Sequence, residues 1–313
     1  MDALYEQLKN YGHVRANVSL ARFSTFKIGG PAKFLIEIKE ADNLVAVLNW
    51  LSGEGVEFFV LGGGSNILFP DEGLDKVAIK IQSTKYQIQD IKIIADAGVS
   101  LAQIVNEATQ AGLTGIEWGA GIPGTIGGAV RGNAGAYGED VAQNLEKVEV
   151  WQSGQVTELK AEECEFGYRE SLFKHSAAVV LRAHFKLIPG DKNEILKKVQ
   201  GYILDRSAKF PRFPSAGSFF KNLSLADFAG DKSKLPEKFL QVGKVGAAWL
   251  IDQCGLKGYT VGGAKISDEH ANFIVNFNGA TQSDVLTLVE KVIKEVYNKY
   301  GVELDSEVEI VKL

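Results

Sequence analysis

Residues 61–69 read Leu61-Gly62-Gly63-Gly64-Ser65-Asn66-Ile67-Leu68-Phe69, and this stretch decides how the N-terminal part of the chain is read. It leaves an apolar run, Phe58 to Leu61, that predicts a buried strand. Three glycines directly after a strand let the backbone turn tightly and come close to a ligand. Successive N–H groups in such a turn form a nest for phosphate oxygens, and Ser65 and Asn66 add side-chain donors. A flexible turn is the alternative reading, but the immediate return to apolar residues at Ile67 fits a shaped loop better. Gly62, Gly63, Gly64, Ser65 and Asn66 are therefore the expected phosphate-holding residues.

Upstream of this loop, Lys33 to Lys39 alternates with period two and predicts a strand. Ala41 to Ser52 carries Leu44, Val47, Leu48 and Leu51 at helical spacing, followed by Gly53 and Gly55. Downstream, Ile91 to Ala97 predicts a strand. Leu101, Ile104, Val105 and Ala108 form a helical stripe that Gly112 closes. A second glycine run then extends from Gly119 to Gly138. Its segment Gly119-Ala120-Gly121-Ile122-Pro123-Gly124 satisfies GxGxxG. A Rossmann fingerprint, however, leaves a clean strand and opens a helix, whereas here Gly115 and Trp118 precede it and Pro123 lies inside it. The run is read instead as a second loop whose N–H groups face the same ligand. No GK[ST] follows either loop, so neither is a Walker loop. Short strands at Lys147 to Gln152 and Ala178 to Leu187 make the class α+β.

Pro189-Gly190-Asp191 reads as a boundary. The expected division is 1–190, with subdomains of about 1–80 and 81–190, and 191–313. A helix is expected from about Asn193 to Arg206, then a Pro-containing segment from Phe210 to Ser215. Near the C-terminus the stripe Val285, Leu288, Val289, Val292, Ile293 and Val296 predicts a helix with Ser283 as N-cap and Gly301 as its stop. A final strand is expected from Val302 to Ile310, with Glu303, Asp305, Glu307 and Glu309 on one face.

The 313 residues suggest roughly two domains. A net charge of −5 with both signs dispersed argues against nucleic acid as a partner. Cys164 and Cys254 lack metal or disulfide spacing and read as small buried hydrophobes. His13, His175 and His184 show no metal spacing, and no metal is expected. Met1 to Val14 lacks the apolar core of a signal peptide, and no apolar run approaches the ~18 residues of a membrane span. A cytoplasmic protein is expected, and a monomer, since no coiled-coil pattern appears.

Several stretches occur in a telling order: STFKIGGPAKF (Ser24 to Phe34), LGGGSNILF, GIEWGAGIPGTIGGAVRGNAGAYG (Gly115 to Gly138), EFGYRESLFKH (Glu165 to His175), PSAGSFFKN (Pro214 to Asn222), WLIDQCGLKG (Trp249 to Gly258), GGAKISDEHANFIVN (Gly262 to Asn276) and SEVEI (Ser306 to Ile310). With these stretches the chain resembles the UDP-N-acetylenolpyruvoylglucosamine reductase (MurB) family from about residue 20 onward. The resemblance implies a two-subdomain FAD-binding region of the vanillyl-alcohol-oxidase (PCMH) type, followed by a C-terminal α+β substrate domain. It implies FAD as cofactor, NADPH as electron donor, and a UDP-sugar substrate, UDP-N-acetylglucosamine enolpyruvate, reduced to UDP-N-acetylmuramate in peptidoglycan precursor synthesis. Related oxidases attach flavin through His or Cys. Neither residue occurs in Gly62–Phe69 or Gly119–Gly138, in agreement with noncovalent binding.

By motif match, Ser218 is the proton donor, Arg169 faces the substrate carboxylate and Glu307 stands beside it. Pro123, Gly124, Thr125, Gly128 and Asn133 join the first loop as cofactor-binding residues, and Lys221, Asn222 and Lys257 are the substrate-binding set. Without the resemblance, Ser218 is equally a turn serine, Arg169 a surface partner of Glu165 or Glu170, and Glu307 one of four acids on a solvated face. His270 is read as structural or supporting, and Tyr168 as core or substrate contact.

The chain departs from the family pattern in places. Ser24 stands where Asn is usual, RGNAGA replaces RMNAGA, and Glu309 stands where the family often has a basic residue. The chain is short after Leu187 and resembles the branch lacking a tyrosine-bearing loop. Residues 223–242 read as a lid or an exposed loop. Two other readings compete: an FAD-linked oxidase or dehydrogenase acting on an alcohol or hydroxy acid, and a flavin- or sugar-nucleotide-binding protein without turnover.

Overall fold

The structure, a computed structural model, describes residues 3–312. The chain forms two compact units. The first comprises residues 1–18, 32–63 and 74–208, and the second residues 19–31, 64–73 and 209–313.

The helices of the first unit are α1 (Ala3–Leu8), α2 (Ala41–Gly53), α3 (Leu101–Gln110), α4 (Ile126–Arg131) and α5 (Lys192–Lys209). One sheet has the strand order 13–19, 31–38, 74–81, 58–61. Strand Pro31–Ile38 and strand Phe58–Leu61 both pair in parallel with Leu74–Ile81, and α2 supplies the crossover that parallel strands require. The four residues of the α2 stripe, Leu44, Val47, Leu48 and Leu51, are all buried, each worth about 1.5–3 kcal/mol of transfer free energy as an upper estimate. The second sheet is antiparallel, in the order 155–160, 145–152, 179–186, 92–96, 86–89. On α3, Leu101, Ile104, Val105 and Ala108 are buried as their spacing predicts, and Ser100 caps the helix by accepting from the Gln103 N–H. Both sheets contribute to one continuous buried cluster, from Leu8 through Leu187.

The expected boundary at Asp191 is the N-terminal end of α5, whereas the unit boundary lies at its other end. The physical reason is side-chain chemistry absent from the apolar pattern. Lys198 and Tyr202 of α5 bind Glu139 and Tyr137 of the first unit.

The second unit holds α6 (Glu237–Val242), α7 (Ala247–Gln253) and α8 (Gln282–Tyr300). Its sheet, ordered 215–218, 273–276, 264–266, 260–261, is antiparallel throughout. Helix α8 buries Val285, Leu288, Val289, Val292 and Val296 and ends at Gly301, whose φ of 69° is the left-handed stop. Its N-cap is Thr281 rather than Ser283. Thr281 accepts from the Asp284 N–H while the Asp284 carboxylate accepts from the Thr281 N–H, a reciprocal capping box. The expected strand over Val302–Ile310 is also revised. Burial alternates through Val302, Leu304 and Val308, but only Glu309–Ile310 forms a strand, parallel to Ile67–Leu68. Ser306 makes a separate bridge to Phe220. The segment changes partner midway, so no single ladder can run its length. Residues 223–242 are mostly exposed, as one of the two readings expects, but anchored: Leu223–Ser224 pairs with Lys244–Val245, Glu237–Val242 is helical, and Phe228 and Leu235 are buried.

Candidate active site

The expected residues fall into a group in the first unit and a group in the second. In the first unit the two glycine runs meet backbone to backbone. A Cβ on Gly63 would stand 2.6 Å from the Gly124 Cα, and one on Gly62 would stand 2.6 Å from the Thr125 Oγ1. Only glycine permits this approach. Gly124 has φ 133°, which also excludes other residues. The Gly119–Gly124 segment follows a 3₁₀ turn, Glu117–Gly119, instead of a strand, so it is not a Rossmann turn. Thr125 caps α4 by accepting from the Gly128 N–H. Beneath the first loop the Lys80 ammonium donates to the Gly62 carbonyl, and burial pushes the pKa of Lys80 down, with Glu37 opposing. The buried indole N–H of Trp118 in the second loop has no hydrogen-bond partner among the described residues. Two glycine loops in backbone contact, a lysine ammonium behind the first and a buried indole N–H beside the second suit a flavin dinucleotide's diphosphate and polar edge, so these residues fit the cofactor.

Asn133 is buried, with φ 38°. Its amide donates to the Gly167 carbonyl at 2.8 Å and to Asp140 at 3.3 Å, and its oxygen accepts from the Ala142 N–H at 3.1 Å. The side chain's polar atoms are engaged within the protein, which leaves Asn133 its backbone to offer a cofactor. The Gly167 it holds begins a two-residue turn. Gly167 and Glu170 exchange backbone hydrogen bonds of 3.0 and 3.1 Å, and Tyr168 and Arg169 form the tip. Arg169 has φ 58°, a left-handed conformation that costs a side-chain-bearing residue about 1–2 kcal/mol. Its guanidinium donates to the Gly135 carbonyl at 2.7 Å and lies 5.3 Å from the Tyr168 ring centroid. Glu170 faces Lys174 and His175.

In the second unit, Ser218 ends the strand that pairs with Phe273, one residue after Gly217 with φ 85°. The chain then runs beside the C-terminal segment. The Phe219 carbonyl accepts from the Glu307 N–H at 2.8 Å, and the Asp305 carbonyl accepts from the Lys221 N–H at 2.9 Å. Across the C-terminal segment, the Asn66 amide donates to the Glu307 carbonyl at 3.0 Å, and the Asn66 carbonyl accepts from the Glu309 N–H at 3.1 Å. Glu307 is thus tied on one side to Phe219, the neighbour of Ser218, and on the other to the side chain of Asn66.

Of the expected substrate residues, Lys221 is part of this join. Asn222 accepts the Ala247 N–H at the start of α7 at 3.0 Å, so its amide NH₂ is the part left to bind a ligand. Lys257 pairs with Asp252 at 3.3 Å. His270 packs edge-on to Phe210 and Phe273. Burial lowers its pKa, a backbone hydrogen bond opposes this, and Lys257 and Lys209 lower it further.

Three supporting residues escaped the sequence reading. Asn272 is buried, accepts from the Phe220 N–H and donates to the Phe220 carbonyl, fixing the chain next to Ser218. Its signal lay in the HAN triplet, where His270 drew the attention. Thr25 donates to the Ser215 carbonyl at 2.7 Å. Lys80 was visible only as a single charge in the apolar run VAIKI. Strand pairing also gathers Glu149, Glu158 and His184, which linear spacing concealed. Arg182 and Lys147 already neutralise those carboxylates.

Comparison with known proteins agrees with this geometry. Residues 32–159 match an FAD binding domain, and residues 209–311 match the C-terminal domain of UDP-N-acetylenolpyruvoylglucosamine reductase. The loop architecture and these matches define an FAD-binding oxidoreductase of α+β fold. The chain is 40% identical over 314 residues to the UDP-N-acetylenolpyruvoylglucosamine reductase of Caldanaerobacter subterraneus, covering 99% of this chain and 97% of that one. It is 41% identical over 302 residues to that of Carboxydothermus hydrogenoformans, covering 95% and 93%. The crystal structure of the Thermus caldophilus enzyme superposes with a TM-score of 0.76 at 34% identity, over 96% of this chain and 100% of the other. The chain belongs to the UDP-N-acetylenolpyruvoylglucosamine reductase family. Among the described residues no helix is long and apolar enough to cross a membrane.

Proposed function

We propose that the protein reduces UDP-N-acetylglucosamine enolpyruvate to UDP-N-acetylmuramate with NADPH as donor, a step in peptidoglycan precursor synthesis. FAD, held noncovalently when bound, supplies the hydride to the vinyl carbon distant from the carboxylate. Gly62, Gly63, Gly64, Ser65, Asn66, Pro123, Gly124, Thr125 and Gly128 hold the cofactor, with Asn133 contributing through its backbone.

The residues at the substrate answer two demands of this chemistry. Negative charge develops on the carbon next to the carboxylate and spreads onto the carboxylate oxygens. Arg169, whose planar guanidinium can face both oxygens, stabilises that charge. Its hydrogen bond to the Gly135 carbonyl holds the side chain in place before substrate arrives. Ser218 delivers the proton to the carbon bearing the carboxylate, and Glu307 shapes the charge around that carboxylate. Lys221, Asn222 and Lys257 bind the sugar nucleotide. The enzyme works as a monomer in the cytoplasm.

The observation that carries this reading is the Phe219 carbonyl, which accepts the Glu307 N–H directly after Ser218. It sets the main chain of the proposed acid beside the residue that follows the proposed proton donor, which supports the reading. The test is anaerobic stopped-flow with the enolpyruvyl substrate. A Glu307→Gln variant is expected to be reduced by NADPH at the normal rate and to lose most of its reoxidation by substrate. Normal reoxidation in that variant contradicts the role.

A further inference from the structure

We propose that Tyr137, Tyr202 and Asp205 form a clasp between α5 and the hairpin Gly135–Asp140 that positions the guanidinium of Arg169. The inference rests on the reading of Arg169 as the carboxylate-binding residue.

The hairpin is short. Gly135 pairs with Asp140 and Ala136 with Glu139, which leaves Tyr137 and Gly138 as the turn. Both turn residues have positive φ, 57° and 87°. Glycine accepts this freely, but tyrosine does so only when neighbouring contacts hold it. Those contacts come from α5. The rings of Tyr137 and Tyr202 stack at 3.9 Å between centroids and 7° between planes. The Tyr137 hydroxyl donates to Asp205 at 3.1 Å. Burial and that hydrogen bond both raise the Tyr137 pKa, so the proton stays on the donor at neutral pH. Arg206 lies 5.4 Å from the Tyr137 ring centroid, and Lys198 reaches Glu139 at 3.3 Å.

Helix α5 also packs Val199 against the buried cluster of the first unit, and its Arg206 guanidinium donates to the Trp118 carbonyl at 3.5 Å. Ile195 is its one buried residue, and Leu204 is 68% exposed. Its polar and aromatic side chains add to this attachment, and those of Lys198, Tyr202 and Asp205 reach the hairpin.

The hairpin in turn carries the acceptor for Arg169. The Gly135 carbonyl takes the guanidinium N–H at 2.7 Å. Gly135 is closely packed against the other strand of the hairpin, where a Cβ would meet the Glu139 carbonyl oxygen at 2.4 Å. Just before it, Asn133 holds Gly167, the base of the Arg169 turn. The backbone of Arg169 and its side chain are therefore both referenced to residues 133–135, and the clasp fixes the free end of that segment.

The test compares the two half-reactions of the FAD-loaded protein in Tyr202→Leu, Tyr202→Phe and Arg169→Gln. Misplacement of a binding group by about 1 Å costs up to roughly a hundredfold in rate. Tyr202→Leu is expected to slow flavin reoxidation by the enolpyruvyl substrate between about tenfold and a hundredfold, with flavin content and reduction by NADPH unchanged. Tyr202→Phe, which keeps the stack, restores reoxidation. Asp205→Ala provides a second, milder variant in the same direction should Tyr202→Leu fold poorly. If Arg169→Gln slows reoxidation but Tyr202→Leu and Asp205→Ala do not, the clasp is wrong and the reading of Arg169 stands. An equal slowing of both half-reactions in Tyr202→Leu makes α5 a mere structural strap and also overturns the proposal. If Arg169→Gln itself reoxidises normally, the reading of Arg169 fails and the clasp fails with it.

Discussion

The side-chain amide of Asn66 donates to the main-chain carbonyl of Glu307 at 3.0 Å, across a separation of 241 residues. The residue expected to serve the cofactor loop therefore also fixes the segment that carries the proposed acid. Replacing Asn66 by Ala removes this bond, and the expected loss of stability is about 1 kcal/mol. Asn66→Ala should also slow substrate-dependent reoxidation, because the Glu307 carbonyl loses its bond to the Asn66 amide. Denaturant unfolding and stopped-flow reoxidation measured on the same preparation check both effects.

Gly63→Ala places a Cβ 2.6 Å from the Gly124 Cα, so the two loops must separate. The variant is expected to fold, since Gly63 is only half-buried, and to purify with little flavin. The ratio of flavin to protein absorbance measures this. Full flavin content would show that the close approach of the loops does not hold the cofactor.

Arg169→Gly should separate stability from activity. Glycine relieves the φ of 58° but loses the bond to Gly135. The two effects are each about 1 kcal/mol and opposite in sign, so the melting temperature should move little. Loss of a charge-stabilising donor typically costs about 10²–10³ in rate, and a loss of that size is expected in substrate-dependent reoxidation.

The fold was largely legible because its signals are local. The stripes of α2 and α3, the glycine at 301 and the two glycine runs each declare themselves within a few residues. By residue type Ser283 caps a helix as well as Thr281 does, so sequence alone does not separate the two as the N-cap of α8. Only the reciprocal bond with Asp284 distinguishes them. The terminal strand was misjudged because alternation of burial records a face and cannot record a change of partner. The attachment of α5 was hidden for a related reason: an aromatic stack and an ion pair leave no periodic trace. At the site, the resemblance supplied Ser218, Arg169 and Glu307. Asn272 and Lys80 act by holding main-chain groups of residues far away in sequence, which no spacing reveals.

His270 should make the protein acid-sensitive. Burial, with Lys257 and Lys209, lowers its pKa in the folded state. The unfolded chain therefore takes up this proton first, and the folded state loses stability relative to it as pH falls below the unfolded value of 6.5. Above that value the group contributes no slope. In His270→Gln the component of the acid-side slope that begins near that pH should disappear, as followed by unfolding midpoints between about pH 5 and 7. An unchanged slope would contradict the burial argument.

Cys164 should be inert to alkylation. Burial, with Glu163, pushes its thiol up to about 11, so at pH 8 only about one molecule in a thousand carries the reactive thiolate. Mass spectrometry after iodoacetamide treatment of the native protein is expected to find Cys164 unmodified, and rapid labelling there would contradict its buried placement.

The central claim is that a bound flavin passes electrons from NADPH to an enolpyruvyl sugar nucleotide and that Ser218 provides the proton. The most direct test follows flavin absorbance anaerobically, first with NADPH and then with UDP-N-acetylglucosamine enolpyruvate, in the native protein and in Ser218→Ala. Both are expected to bleach with NADPH; the native protein is expected to regain its colour with substrate, and Ser218→Ala to regain it about 10²–10⁴-fold more slowly. Recovery of colour only when oxygen is admitted, or equal recovery in Ser218→Ala, would contradict the claim.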